Sequence, residues 1–403
     1  MTADVTAGMD LASLRQYARD WIDEHSPPNW RRDLADATDE ERARFDRALL
    51  RDLSAAGLAA SHWPTEHGGS GLPLAHQLVI HEEFIKADAA WPATFYCSLN
   101  HAAHVLIHFG TPEQQKHLPV ILSGEEIWCQ AFSEPEAGSD LGALRTRARR
   151  AGDRYVLDGQ KVWSSRGAVA DRAIVLARTG PASDKGRGIS MFMVDLSAPG
   201  VEVRPIRQAT GETEFAEIFF EQVEVPVEDL LGEEGAGWSV MQAMLAAERG
   251  PGVLRFALSL EMAIDALLAR ARSLGVIESP PAHLADVPLL LGALVTEVEV
   301  LRQMITEVLD GFVRTGEIPR ESLTLKVVFS ELHLRLTEAA VRIEALPGQY
   351  AMDPTTAYPS GDAGWLTERL RTYRYLIGAG TNEIQRNHVA HGILGLPRDP
   401  RPS

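Results

Sequence analysis

The hydrophobic period of the chain changes twice along its length, and this pattern restricts the possible folds more than any other feature. Apolar residues recur at helical spacing from residue 9 to about residue 126, and again from Gly237 to Leu394. Between these regions lie short segments rich in β-branched and aromatic residues, with no long helical pattern separating them. We therefore expect an α+β protein with an α-helical domain over residues 1–126, an antiparallel β-barrel or sandwich over 127–236, and an α-helical domain over 237–403.

One helix start is marked by its capping residues. Thr111 is a suitable N-cap, Pro112 suits the first helical position, and Gln114 completes a capping box. We expect a helix to begin there.

A hairpin is indicated by an Asp-Gly pair inside the β-rich region. Asp158-Gly159 separates the apolar stretches 155–157 and 161–163, and Asp-Gly is a frequent two-residue turn. We expect two short strands joined at this pair.

Composition and charge exclude several classes of protein. The 403 residues include 45% hydrophobic residues and carry a formal net charge of −17, which argues against wholesale disorder and against a nucleic-acid partner. Cys97 and Cys129 lack metal-ligand spacing, so neither a metal nor a disulfide framework is expected. The N-terminus lacks the pattern of a signal peptide, and the apolar run near Val287 to Val295 is too short to span a membrane. We expect a cytoplasmic protein without a membrane partner.

Three motifs combine small residues with groups that could contact a ligand. In the segment 133–146, Gly138 and its small neighbours leave backbone amides accessible, although a plain polar loop has the same composition. In the segment 152–165, Trp163 offers an aromatic face beside two serines, although a core tryptophan at a strand end is an alternative. In the segment 376–387, Gly378, Ala379 and Gly380 precede a helix expected to start near Thr381, which is either an anion site or a capped helix after a tight turn.

The order and character of these motifs resemble the acyl-CoA dehydrogenase family, from the Gly-rich loop near Gly68 to Arg398. The resemblance implies an N-terminal helical domain, a middle β-domain and a C-terminal four-helix bundle. It implies FAD between the β-domain and the C-terminal helices, and a tetramer built from dimers. The residues that it places against the flavin or FAD are Phe132, Ser133, Gly138, Ser139, Trp163, Ser164, Ser165, Thr381 and Glu383, and Ser139 also falls at the CoA moiety.

The reaction of this family requires a carboxylate that takes the α-proton while a hydride leaves Cβ for the flavin. Much of the family carries this glutamate where Ala379 stands here. A smaller branch, which includes isovaleryl- and long-chain acyl-CoA dehydrogenases, carries it in a Glu-Arg pair on an earlier helix, and Glu248-Arg249 matches that pair. The resemblance implies Glu248 as the base, with Arg249 and Ala379 beside the substrate. The alternative is a surface glutamate paired with an arginine.

Two family features are altered. The arginine that reaches the FAD of the neighbouring subunit is replaced by Ala271, and only Arg270 or Arg272, turned about 100° away on a helix, could substitute. A later glycine-rich FAD loop is changed around Pro347-Gly348. Both changes resemble bacterial dehydrogenases of bulky acyl groups, some of which are heterotetramers.

These features predict α,β-dehydrogenation of a branched or bulky acyl thioester, carried by CoA or an acyl carrier protein, with electrons passed to an electron-transfer flavoprotein. The protein would be a homo- or heterotetramer. Two alternatives remain: an accessory subunit without its own FAD, and a flavin oxidase or monooxygenase on the same fold. A monooxygenase can use a histidine near the flavin, but His388 and His391 are expected to be ordinary helix residues.

Overall fold

The computed structural model describes residues 6, 8–34, 37–248, 251–315, 319–344 and 364–397. The chain divides into two compact units. The first contains Met1–Leu14, Asp36–Gln77 and Trp91–Glu248, and the second contains Arg15–Ala35, Leu78–Ala90 and Arg249–Ser403. The predicted order of helical, β-sheet and helical regions is confirmed. The domain boundaries 1–126, 127–236 and 237–403 remain a prediction.

The first third of the chain is helical, and two of its helical segments begin at capping boxes. Thr38 and Glu41 form a reciprocal capping box at the start of α3. The capping box predicted at Thr111 is also present, with the Gln114 N–H 3.3 Å from Thr111 Oγ1. It opens a 3₁₀ turn, Gln114–Lys116, rather than a full α-helix. The α-helices of this region are α1 (Leu11–His25), α2 (Trp30–Asp33), α3 (Asp39–Ala55), α4 (Leu74–Lys86), α5 (Ala103–Phe109) and α6 (His117–Leu122), and a π-helical turn, Ser98–Ala102, precedes α5.

The middle of the chain forms one eight-stranded sheet. Its order is β6-β7-β3-β2-β4-β5-β8, with β1 paired to β4. Most pairs are antiparallel as predicted, but β1 and β2 each pair with β4 in parallel. The buried face of the sheet includes Tyr155, Leu157, Phe192 and Phe220. The strands are β1 (Trp128–Ala131), β2 (Arg147–Ala151), β3 (Arg154–Ser165), β4 (Arg172–Arg178), β5 (Ile189–Asp195), β6 (Val201–Ile206), β7 (Phe215–Pro226) and β8 (Leu230–Leu231).

The hairpin predicted at Asp158-Gly159 is wrong, because β3 runs through this pair without a turn. Gly159, at φ +154°, lies at a register shift between β3 and β7, which is a β-bulge. A Cβ at this position would lie 2.4 Å from Thr146 Oγ1, so the close approach of Thr146, just before β2, requires glycine. The two-residue turn of this region is Gly152-Asp153, between the paired residues that end β2 and begin β3.

The last part of the chain is helical. Its described helices are α7 (Gly237–Glu248), α8 (Pro251–Ser273), α9 (Val287–Thr315), α10 (Ser322–Glu344), α11 (Trp365–Ile377) and α12 (Asn382–Gly392). Helices α8 to α11 share one apolar core. The core of the second unit contains Leu267, Leu301 and Leu336 from three long helices, and Trp365 from α11. This agrees with the four-helix domain that the resemblance implies.

Candidate active site

A buried ion pair fixes the loop between β1 and β2. The Lys161 ammonium donates to Phe132 O at 3.0 Å and to Glu134 Oε1 at 2.8 Å. Glu134 also accepts the N–H groups of Arg145 at 2.6 Å and Thr146 at 2.8 Å. One carboxylate therefore joins both ends of the loop to β3. Sequence reasoning missed this pair, because its two members are distant along the chain.

Both members of this pair are charged at neutral pH. The Lys161 side chain has no exposed surface, and burial lowers its pKa to about 8. Burial also acts to raise the pKa of Glu134, but the Lys161 charge and the hydrogen bonds outweigh it, so this pKa lies below its usual value. Because the pair is enclosed, removing either partner would leave a buried group without its counter-charge.

The loop that follows Glu134 presents open backbone. Glu134 and Ala137 exchange two backbone hydrogen bonds, of 3.2 and 3.1 Å, which make a tight turn. Gly138 and Ser139 are exposed, and a Cβ built at Gly138 meets no atom within 4 Å. Packing within the chain therefore does not require glycine here, and the open backbone fits a loop that a ligand approaches.

Trp163 is an exposed tryptophan held in a strained conformation. Its φ is +63°, and it lies at a second bulge of β3, between Lys161 and Ser164. The side chain is 58% exposed and touches Phe215 edge-on, with 6.0 Å between ring centroids. The core tryptophan considered as an alternative is therefore wrong. A left-handed backbone at a bulky residue costs about 1–2 kcal/mol, and such strain concentrates at functional positions.

The bulged strand brings Trp163 next to the loop between β1 and β2. The Val162 N–H donates to Ser133 O at 2.9 Å, which joins the loop to β3 immediately before Trp163. Ser165 is half-buried and pairs with β7. Ser164 is buried and does not share the exposed surface of Trp163, and its hydroxyl has no hydrogen-bond partner in the described part of the chain. The candidate residues Phe132, Ser133, Gly138, Ser139, Trp163, Ser164 and Ser165 thus belong to one region of the sheet.

The third motif forms a tight turn in the second unit. Thr381 is the N-cap of α12, as predicted, and accepts the Ile384 N–H at 3.3 Å. Ala379 has φ +53° and Gly380 has φ +79°. Glu383 is exposed, and hydrogen bonds from its own backbone N–H and from Thr381 lower its pKa. A carboxylate in the first turn also suits the positive end of the helix.

Two residues that sequence reasoning missed hold this turn from inside. The Lys326 ammonium donates to Gly380 O at 2.9 Å and to Asn382 Oδ1 at 2.8 Å. The Gln385 amide donates to Ala379 O at 2.8 Å. Burial lowers the pKa of Lys326 to about 8. The carbonyl groups of the turn are thus engaged within the protein.

The histidines after this motif show no feature of a reactive group. His388 is exposed on α12, and His391 Nδ1 lies 3.1 Å from Leu396 O near the end of the helix. Both positions fit the expectation of ordinary helix residues.

The helix that carries the expected base ends at that residue. Met241 and Met244 of α7 are buried, and Glu248 is its last residue. Pro251 begins α8, and the kink expected there falls at residues 249 and 250, which lie outside the described residues. The Glu248 side chain and the whole of Arg249 lie outside the described residues.

Two segments depart from the family pattern, one around Ala271 and one around Pro347-Gly348. Ala271 is buried in the core of the second unit. Arg270 binds Glu344 through two hydrogen bonds, of 2.7 and 2.9 Å, whereas Arg272 is exposed. The changed loop at Pro347-Gly348 lies outside the described residues.

The described residues contain no group of histidine, cysteine and acidic side chains arranged to hold a metal. None of the described helices is both long enough and apolar enough to cross a lipid bilayer.

Comparison with known proteins places the chain in one family along its length. The family models described as acyl-CoA dehydrogenase N-terminal, middle and C-terminal domains match residues 10–125, 129–223 and 235–394. Acyl-CoA dehydrogenase IpdE1 of Mycobacterium tuberculosis is 36% identical over 365 residues, which cover 88% of this chain and 89% of that protein.

Comparison with solved structures points to the same family. The Tcur3481-Tcur3483 steroid ACAD matches with a TM-score of 0.81 and 28% identity, covering 97% of this chain and 100% of that chain. The ChsE4-ChsE5 complex from Mycobacterium tuberculosis matches with a TM-score of 0.78 and 27% identity, covering 96% and 98%. By its fold and these matches, the chain belongs to the acyl-CoA dehydrogenase family of oxidoreductases.

Proposed function

We propose that this protein is an FAD-dependent dehydrogenase that converts an acyl thioester to its trans-2-enoyl thioester. The observation that carries the proposal is Trp163, a strained and exposed aromatic side chain beside a loop of open backbone. A flat ring and accessible amides fit a planar, polar-edged cofactor. When bound, FAD supplies the acceptor for the β-hydride. The residues that would hold it are Phe132, Ser133, Gly138, Ser139, Trp163, Ser165, Thr381 and Glu383.

Glu248 is proposed as the base that takes the α-proton. It is the last described residue of α7, a helix whose buried residues include Met241 and Met244. A base in this reaction needs partial desolvation, which would raise its proton affinity towards the working range. Ala379 occupies the place where much of the family carries its glutamate, so a second acid is missing there. This combination supports the branch that resembles isovaleryl- and long-chain acyl-CoA dehydrogenases.

The acyl group is proposed to be branched or bulky. Alanine at position 379 leaves more room than a glutamate, and one similar structure is described as a steroid ACAD. CoA or an acyl carrier protein would carry the acyl group, and Ser139 and Arg249 would contact the carrier or the thioester. An electron-transfer flavoprotein would accept the electrons.

The test is a spectroscopic titration. The purified protein is expected to be yellow, and a suitable acyl-CoA is expected to bleach the flavin band. Glu248→Gln should keep the flavin but lose bleaching by a factor of about 10³ or more, because proton abstraction is removed. Glu278→Gln, at an exposed glutamate of the second unit, is the control. Equal bleaching by wild type and Glu248→Gln would reject Glu248 as the base.

A second candidate is a subunit that shares FAD with a different chain. The observation that favours it is the Arg270–Glu344 pair, because this arginine is committed inside its own subunit while Ala271 cannot contact a phosphate. The two similar structures are described as pairs of differently named proteins. In this candidate the assembly is a heterotetramer rather than a homotetramer. A colourless protein when purified alone, and yellow only with a second subunit, would support this candidate, whereas full flavin content alone would reject it.

A further inference from the structure

Asp39, the first residue of α3, contacts two segments of the sheet region that are distant along the chain. One of its carboxylate oxygens lies 3.8 Å from a guanidinium nitrogen of Arg166, which follows the end of β3. The other oxygen accepts a hydrogen bond from the hydroxyl of Thr213, which precedes β7. One carboxylate of a helix therefore joins the ends of two paired strands. We call this set of three residues the Asp39 bridge.

The two joined segments carry Trp163 and its aromatic neighbour. Arg166 is three residues after Trp163, and Thr213 is two residues before Phe215, whose ring meets that of Trp163 edge-on at 6.0 Å. The segments also bind each other directly, because the Arg166 N–H donates to Glu214 O at 2.6 Å. The Asp39 bridge therefore closes the β3–β7 pair next to the exposed tryptophan.

The backbone between the tryptophan and the bridge has little freedom to move. Arg166 has φ +59°, so it is a second residue other than glycine in the left-handed region, three positions after Trp163. Gly167 follows it, and a Cβ there would lie 3.0 Å from Ala216 Cβ, which shows how closely this turn lies against β7. Strained conformations persist where surrounding contacts over-determine them. The Asp39 bridge supplies such contacts on the C-terminal side of Trp163.

The Arg166 side chain is held against α3. The side chains of Arg166 and Asp39 are only 24% and 23% exposed, so their attraction is less screened than that of a surface ion pair. Arg166 also faces a second carboxylate of the same helix. Burial raises the pKa of Asp46, and its hydrogen bonds with Thr94, followed by the charge of Arg166, oppose that rise. A guanidinium held by two carboxylates of one helix fixes the backbone that carries it.

We propose that Asp39 is a positioning residue, which acts through Arg166 and Thr213 to hold Trp163 in the orientation that a bound flavin requires. Without the bridge, residue 163 is free to relax to an unstrained backbone. Binding of the flavin must then restore the strained form, and this weakens the affinity. The inference rests on the proposed function for the identity of the bound ring, whereas the orientation of Trp163 is a property of the protein alone.

The first experiment observes Trp163 directly. Protein labelled with fluorotryptophan gives one fluorine NMR resonance for each of its eight tryptophans, and Trp163→Phe identifies the resonance of residue 163. Asp39→Ala is expected to shift or broaden this resonance while the other seven stay in place, which a general loss of structure would not do. Asp52→Ala, at an exposed aspartate of the same helix, is the control and should leave all eight unchanged.

Two substitutions at residue 166 test the other side of the bridge. Arg166→Asn removes the cation, and asparagine tolerates positive φ, so the Trp163 resonance should move here as well. Arg166→Lys keeps a cation for Asp39 and should remain close to the wild type. Because residue 166 lies outside α3, this pair tests the bridge even if Asp39→Ala does not fold. An unmoved resonance in folded Asp39→Ala or Arg166→Asn, or equal movement in Arg166→Lys, would overturn the inference.

The second experiment measures FAD binding by titration of the flavin-free protein, together with its second subunit if one is required. Asp39→Ala and Arg166→Asn should each weaken the affinity about tenfold, the factor that corresponds to restoring one left-handed backbone on binding, and Asp52→Ala should not. A moved resonance with unchanged FAD affinity would overturn the inference. Failure of the wild type to bind FAD would instead reject the proposed function, and the resonances would still decide whether Asp39 positions Trp163.

Discussion

Replacing Lys161 by methionine is expected to be much more destabilising than replacing Glu134 by glutamine. The two side chains form one buried pair at 2.8 Å, but they differ in how easily each becomes neutral when its partner is removed. The asymmetry follows from their pKa values, since a group that changes its protonation state avoids an unpaired buried charge.

The magnitudes follow from the cost of neutralising each group. A carboxyl with the ordinary pKa of 4.5 takes up a proton at pH 7 for about 3.4 kcal/mol, at about 1.36 kcal/mol per pKa unit. In Lys161→Met, Glu134 must bear that cost or remain charged and unpaired, so we expect a loss of about 3 kcal/mol in the free energy of unfolding. In Glu134→Gln, Lys161, whose pKa is about 8, loses its proton at pH 7 for about 1.4 kcal/mol at most.

The pH dependence provides a second check. The pKa of Glu134 is lowered in the folded protein, so its stabilising contribution is complete above the ordinary pKa of 4.5 and is lost as the pH falls through the folded value. The deficit of Lys161→Met should therefore shrink at pH 5, where neutralising the carboxyl costs about 0.7 kcal/mol. Urea unfolding followed by tryptophan fluorescence measures both variants, and the double variant should be no worse than Lys161→Met. A Lys161→Met variant as stable as Glu134→Gln, or equally deficient at pH 5 and pH 7, would refute the reasoning.

Three other substitutions test the remaining structure. Gly159→Ala should destabilise by about 2 kcal/mol or more, because its Cβ would overlap Thr146, and a thermal melt that matches the wild type would contradict the bulge. Arg270→Met should cost about 3 kcal/mol in urea unfolding by leaving Glu344 buried without its partner, and an unchanged urea midpoint would show that the pair does not contribute. Trp163→Asn should leave the free energy of unfolding unchanged or raise it by about 1 kcal/mol, since asparagine tolerates positive φ, while flavin content per protein falls; full flavin content would argue against a cofactor role.

The wrong prediction of a hairpin at Asp158-Gly159 shows that a short stretch of sequence does not distinguish a turn from a β-bulge. Glycine at positive φ serves both a two-residue turn and a β-bulge, so the Asp158-Gly159 pair carries the same local signal for either. The difference lies in a distant strand. The Asp158 carboxylate accepts the Gln222 N–H of β7 at 2.9 Å, and β3 continues because β7 pairs with it on both sides of the bulge. No window around residue 158 contains that information.

In the helices and in the candidate site, features set by nearby residues could be predicted, whereas features set by distant residues could not. The capping boxes at Thr111 and the helix start at Thr381 could be predicted, because a cap needs only residues three positions apart. Lys161 and Lys326 could not be placed, because each binds groups from a segment distant along the chain. Recognition of the family supplied the identity of Trp163, but its exposure depends on a bulge that no motif predicts.

The two segments expected to contact FAD share a physical property that the motifs alone do not explain. Trp163 at φ +63° and Ala379 at φ +53° are residues other than glycine in the left-handed region. Glycine at either position would remove a backbone cost of about 1 kcal/mol, and the turn at Ala379 already has glycine on both sides. The Trp163 side chain is exposed and contacts Phe215 edge-on, and Ala379 is exposed, so burial stabilises neither position and both point to a demand made by a bound molecule. The surrounding contacts of Lys161, Lys326 and Gln385 are then best understood as the interactions that hold two strained segments in place.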